Sequence, residues 1–100
     1  MLASPRYPFV GWAIQGAPDD PGLYALFRQE EVLCVGIADG GPGRTIRSRL
    51  LALFEASGRV PVISHYQWEI TTQAAIARKR YLEELGRALV DCDSLPLRYF

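Results

Sequence analysis

One histidine, two cysteines and one lysine, Lys79, are all that 100 residues hold of these reactive side chains. Eleven basic residues balance eleven acidic ones. No net field therefore draws the chain to nucleic acid, and any such binding must come from a local cluster of like charge. The bases are almost all arginine, whose planar fork suits bidentate phosphate or carboxylate contacts. Cys34 and Cys92 lie far apart and form no CxxC or Cys/His spacing, which excludes a structural zinc site. Both read as reduced thiols of a cytoplasmic protein, and Cys34 as a small buried hydrophobe. His65 has no acid or nucleophile placed near it in sequence and reads as a surface or packing residue. No apolar run reaches membrane-spanning length, and the first residues lack the basic start and apolar core of a signal peptide. The expectation is a soluble, cytoplasmic chain with no membrane partner.

What is present suits one domain, 1–100, with apolar content enough for a core. Residues 1–16 are aromatic-rich and read equally as a strand or an ordered arm. The cluster Ala17-Pro18-Asp19-Asp20-Pro21-Gly22 is a turn. Residues 23–27 and 32–35 are short β-favouring runs around Arg28-Gln29-Glu30-Glu31 and predict a hairpin with a four-residue tip. Residues 36–43 hold four glycines and a proline and predict a loop. From Thr45 the period turns helical, with Ile46, Leu50, Leu53 and Phe54 on one face and Gly58 as the stop. Residues 62–71 alternate as a third strand, and a helix capped by Thr71 or Thr72 follows over 73–90. The tail 91–100 contains Pro96 and an apolar run and reads as a short strand packing back. The fold class predicted is α+β, a small, mainly antiparallel three-stranded sheet flanked by helices. Trp12 and Trp68 read as core or semi-core aromatics.

Three arginines, Arg44, Arg47 and Arg49, follow the glycine-rich loop at a helix start, a pattern that suits an anion. The loop has no lysine and no Walker spacing. The segment Gly22-Leu23-Tyr24, then residues 25–33, then Cys34-Val35-Gly36 resembles the paired motifs of the GIY-YIG endonuclease family. Ile46-Arg47-Ser48-Arg49-Leu50 resembles that family's basic helix, and Tyr66-Gln67-Trp68-Glu69-Ile70 with the alanine-rich helix after it resembles its third strand and second helix. The likeness spans residues 21–89.

The resemblance implies a nuclease in which two motif tyrosines position water, the helix arginine stabilises phosphate charge, and a glutamate on the later helix holds Mg2+ or Mn2+. Tyr24 and Arg49 match the pattern. Cys34 stands at the second tyrosine, Leu53 at a common histidine or tyrosine, and Arg78 at the metal-binding glutamate. At about 100° per residue, Ala74, Ala77, Tyr81, Leu82, Leu85, Ala88 and Leu89 form one apolar stripe with Arg78 near its centre and Glu84 at its edge. The candidate catalytic set is therefore Tyr24, Cys34, Arg49 and Arg78, with Arg44, Arg47 and Arg49 for phosphate and Glu84 as the displaced metal ligand. Three functions stay open. They are phosphodiester recognition on DNA or another nucleic acid without hydrolysis, an active divalent-metal endonuclease using Glu84 or Glu69, and a non-catalytic domain for a protein partner.

Overall fold

A computed structural model describes residues 2–57 and 63–94. The order of elements is β1 (Tyr7–Pro8), α1 (Gly11–Ile14), β2 (Gly22–Arg28), β3 (Glu31–Ala38), α2 (Ile46–Ser57), β4 (His65–Ile70), α3 (Ala74–Leu85), β5 (Val90–Asp91) and a 3-10 turn, Cys92–Ser94. The fold is α+β, and the sheet is five-stranded and mixed, in the order β1-β4-β2-β3-β5. Its centre is the expected hairpin and third strand, β4-β2-β3, antiparallel throughout. The two additions are edge strands of two residues each, β1 antiparallel to β4 and β5 parallel to β3. The aromatic opening segment holds a short strand, one of the two expected readings, and then a single helical turn that the sequence did not suggest.

The hairpin is tighter than expected. Arg28 pairs with Glu31, so the tip is Gln29-Glu30, with Gln29 at φ 54°. A two-residue hairpin loop needs positive φ to match the strand twist, and here a glutamine adopts it. Gly36, Ile37 and Ala38 belong to β3, and the glycine-rich loop is shortened to 39–45.

β2 is the central strand and buries both faces, which is why it reads as a continuous apolar run. Tyr24, Leu26 and Cys34 pack with Ile46, Leu50 and Tyr66 on the face covered by α1 and α2. Leu23, Ala25, Phe27 and Val35 pack with Ala77 and Tyr81 of α3 on the other. Alternation of side chains across the sheet makes this division.

Thr45 and Ser48 cap α2 reciprocally. The Thr45 amide donates to Ser48 Oγ at 2.8 Å, and the Ser48 amide to Thr45 Oγ1 at 3.2 Å. The end of α2 expected at Gly58 and the strand start expected at Val62 lie outside the described residues. α3 stops at Leu85 instead of running to residue 90, because Gly86 takes the left-handed cap at φ 71° and donates back to Leu82 and Glu83. Its N-cap is Gln73, without a side-chain cap, and Thr71 Oγ1 accepts from the Gln73 amide at 3.0 Å. Of the tail 91–100, residues 91–94 form the end of β5 and the 3-10 turn. Trp12 is not a core residue: it is 77% exposed on α1. Trp68 is half-buried and stacks on Tyr7 at 6.5 Å.

The two cysteines are not thiols. Cys34 and Cys92 form a disulfide with Cα atoms 5.0 Å apart. Sequence distance was no obstacle, since the parallel β3–β5 pairing sets Val90 beside Cys34. Closing a loop over a separation of 58 residues stabilises the fold by roughly 4 kcal/mol through restriction of the unfolded chain. The argument for a cytoplasmic protein from free thiols falls with this finding. No helix among the described residues is long and apolar enough to cross a membrane.

Candidate functional site

Tyr24 sits opposite Gly36 in the β2–β3 register. Its ring lies flat over that glycine, so a Cβ at position 36 would fall inside the phenol. The ring is fully buried. Its Oη has no hydrogen-bond partner. The Arg49 guanidinium of α2 approaches the phenol and acts on it first as a hydrogen-bond donor and then through its charge, although the contact falls short of well-formed hydrogen-bond geometry. Charge attraction does not require the alignment that a hydrogen bond does, so Oη is a buried atom with a cation beside it and no well-formed hydrogen bond. Burial pushes the Tyr24 pKa up to about 12, against the pull of Arg49. The phenol oxygen first, and the Asp93 carboxylate after it, raise the Arg49 pKa, so the guanidinium stays charged.

Arg49 bonds Asp93 of the 3-10 turn directly. Asp93 was not a candidate in the sequence. The neighbouring Arg44 is held by Asp39 at 3.1 Å, and Asp39 also accepts from the Gly41 amide at 3.0 Å. That amide first, then the Arg44 guanidinium, holds the Asp39 carboxyl below the usual carboxylate range. The loop closes through the Gly40 amide to the Arg44 carbonyl and the Arg44 amide to the Gly41 carbonyl, with Gly40 and Gly43 at φ 90° and 70°. Arg44, Arg49, Asp39, Asp93 and Ile37 together line a cavity of about 210 Å³.

The three arginines do not converge. Arg47 turns away, and its Nε donates to the Ala17 carbonyl at 2.8 Å. Nor does the start of α2 present free amides. Those of Ile46 and Arg47 donate to the carbonyls of Asp20 and Pro18 at 2.9 and 3.0 Å. These bonds tie the helix to the Pro-rich turn and leave the arginine side chains as the only cationic groups among the cavity's lining residues.

Arg78 and Glu84 belong to a different surface, because α3 covers the face of the sheet opposite to Tyr24. Arg78 is half-buried at the edge of the helix contact, whose buried residues are Ala74, Ala77 and Tyr81. Glu84 lines a cavity of about 420 Å³ with Arg6, Phe27 and Tyr81, and approaches Arg80 at 3.9 Å. Glu69 bonds Arg80 as well. Cys34 does lie on the Tyr24 face, as one half of the disulfide. Bonded sulfur can neither activate water nor act as a nucleophile. His65 is half-buried with its Nδ1 2.9 Å from Ser64 Oγ.

Comparison with protein-family models, curated proteins and solved structures finds no match to this chain. Its chemistry has to be argued from its own residues.

Those residues do not fit a divalent ion held as the GIY-YIG pattern requires. The position of the glutamate is a cation on the far face, the rival carboxylates Glu84 and Glu69 are on that same far side with Arg80, and the carboxylate nearest Tyr24 is engaged by Arg49. What the cavity can do is bind an oxyanion in competition with Asp39 and Asp93.

Proposed function

We propose that this chain is a GIY-YIG-like domain that recognises the phosphodiester backbone of DNA or another nucleic acid through Arg49 and Arg44, without hydrolysing it by a metal held in that family's manner. The observation that carries this reading is that Arg49, which contacts the Tyr24 phenol seated on Gly36, lines one cavity together with Arg44. Tyr24 and Arg49 are the two positions at which the sequence keeps the family's pattern. Arginine forks on a cavity wall suit phosphate oxygens, and a chain of zero net charge has to rely on such a local pair.

The test is fluorescence anisotropy with labelled DNA duplex and single-stranded RNA over a salt series. Arg49→Ala should weaken binding and reduce the slope of log K against log salt by about 0.9 on duplex DNA, one phosphate contact fewer. Equal affinity and slope in wild type and variant would refute the reading. Incubation with Mg2+ or Mn2+ should give no cleavage above background, and cleavage abolished by Glu84→Ala would establish the endonuclease alternative instead.

A second reading, a domain for a protein partner, is favoured by one feature. Trp12 stands 77% exposed beside a cavity of about 250 Å³ lined with Tyr7, Pro8 and Tyr66, the kind of apolar, aromatic surface found at interfaces.

A further inference from the structure

The Arg44–Arg49 cavity is electrically balanced, because Asp39 and Asp93 offset its two arginines one for one. Asp39 is part of the loop that carries Arg44. Asp93 is different: it arrives from the far end of the described chain, on the Cys92–Ser94 turn. Its carboxylate lies where an anionic ligand of Arg49 would bind. The turn packs against β3 through the buried Cys92, whereas its Asp93 side chain is half exposed. β5 contributes two residue pairs with β3, Val90 is half exposed, and the Asp93 amide is satisfied within the turn by Asp91 Oδ1 at 3.0 Å. The covalent tether is Cys92 to Cys34, and Cys34 lies on the Tyr24 face of β3, two positions before the glycine that seats the Tyr24 ring.

We propose that the Cys92–Ser94 turn is a disulfide-held cover on the anion site, with Asp93 standing in for the ligand of Arg49, and that reduction of Cys34–Cys92 releases it. The proposal rests on the phosphodiester reading above and adds its regulation. In the oxidised protein an incoming phosphate must displace a carboxylate whose effective concentration is set by the tether. A dithiol reductant attacks one sulfur, forms a mixed disulfide, and closes to its own cyclic disulfide. Two electrons and two protons end on Cys34 and Cys92 as thiols. Both cysteines are fully buried. The reductant reaches them through opening of the two-residue edge strand, the kind of local opening that needs little free energy. Once the turn is free, the cavity carries an excess positive charge and Arg49 is open to a ligand, with the unpartnered Tyr24 Oη beside it.

The experiment measures anisotropy of a labelled DNA duplex at low salt with oxidised protein, protein reduced with dithiothreitol, Cys92→Ser, Asp93→Asn, and Arg49→Ala after reduction. Circular dichroism is recorded for each. Reduction, Cys92→Ser and Asp93→Asn should each tighten binding by about fivefold, the gain expected from removing one partly exposed ion pair. Arg49→Ala should abolish the gain. Tighter binding by Asp93→Asn alone, with reduction and Cys92→Ser unchanged, overturns the disulfide cover and leaves the phosphodiester reading standing. So does loss of secondary structure on reduction, which would make the disulfide a staple of the whole fold. Binding in no arm refutes the phosphodiester reading, and hydrogen exchange then decides the cover. Faster exchange of the Asp93 amide on reduction, with the dichroism intact, upholds release of the turn, and unchanged exchange overturns it.

Discussion

Removing a single oxygen from the core should stabilise this protein. Tyr24 Oη is buried without a hydrogen-bond partner, and a buried unsatisfied polar group costs about 1–3 kcal/mol. The nearby Arg49 charge offsets part of that cost. Tyr24→Phe keeps the ring over Gly36 and deletes the oxygen, so at pH 7 it should gain about 1 kcal/mol in urea unfolding. A buried tyrosine that makes a sound hydrogen bond loses about that much when changed to phenylalanine, so the sign of the effect decides the matter. A second signature lies at high pH. The unfolded tyrosine releases its proton near pH 10, while the folded one holds it to about 12. In that window the folded state binds more protons, and stability falls as pH rises through it; below pH 10 the contribution is complete. The loss is at most on the order of 2–3 kcal/mol. Tyr66 and Tyr81 are shifted in the same direction by burial, so the difference between wild type and Tyr24→Phe isolates Tyr24. The variant should decline less steeply from pH 10 to 12. A Tyr24→Phe protein weaker by about 1 kcal/mol at pH 7, with the deficit vanishing in an Arg49→Ala background, would reveal a true Tyr24–Arg49 hydrogen bond and refute the reasoning.

Gly36→Ala should cost about 1–3 kcal/mol or more through overpacking against the Tyr24 ring, and adding Tyr24→Leu should recover most of it; a neutral Gly36→Ala by urea unfolding would show that the ring moves freely. Thr45→Ala should lose about 1 kcal/mol by removing the Oγ1 that receives the Ser48 amide at the start of α2, read from the same unfolding midpoint, and an unchanged midpoint would mean the bonds from Ile46 and Arg47 to the turn cap the helix by themselves.

The parts of this fold legible in the sequence are those marked by local chemistry. The Pro-Gly turn starts β2, the glycine-rich loop ends β3, and Thr45 begins α2, because each depends on the backbone preferences of its own few residues. A strand was among the readings for the opening segment and for the tail, but the places of β1 and β5 were not readable, since two residues cannot show a period. The stripe that placed Arg78 at the centre of α3 drew on Ala88 and Leu89, which Gly86 excludes from the helix. With the stripe cut short, Arg78 moves to its edge. Parity put Tyr24 and Leu26 on one face of β2 and Leu23 and Ala25 on the other. Which helix covers which face is a matter of topology, and that choice separated Arg78 and Glu84 from Tyr24. The deepest omission was Asp93. Nothing local ties position 93 to position 49. The link runs through Cys92, across a disulfide, to a strand whose glycine seats the tyrosine. Arg49 was legible as a cation, but its partner was not, and the partner determines whether that charge is available to a ligand.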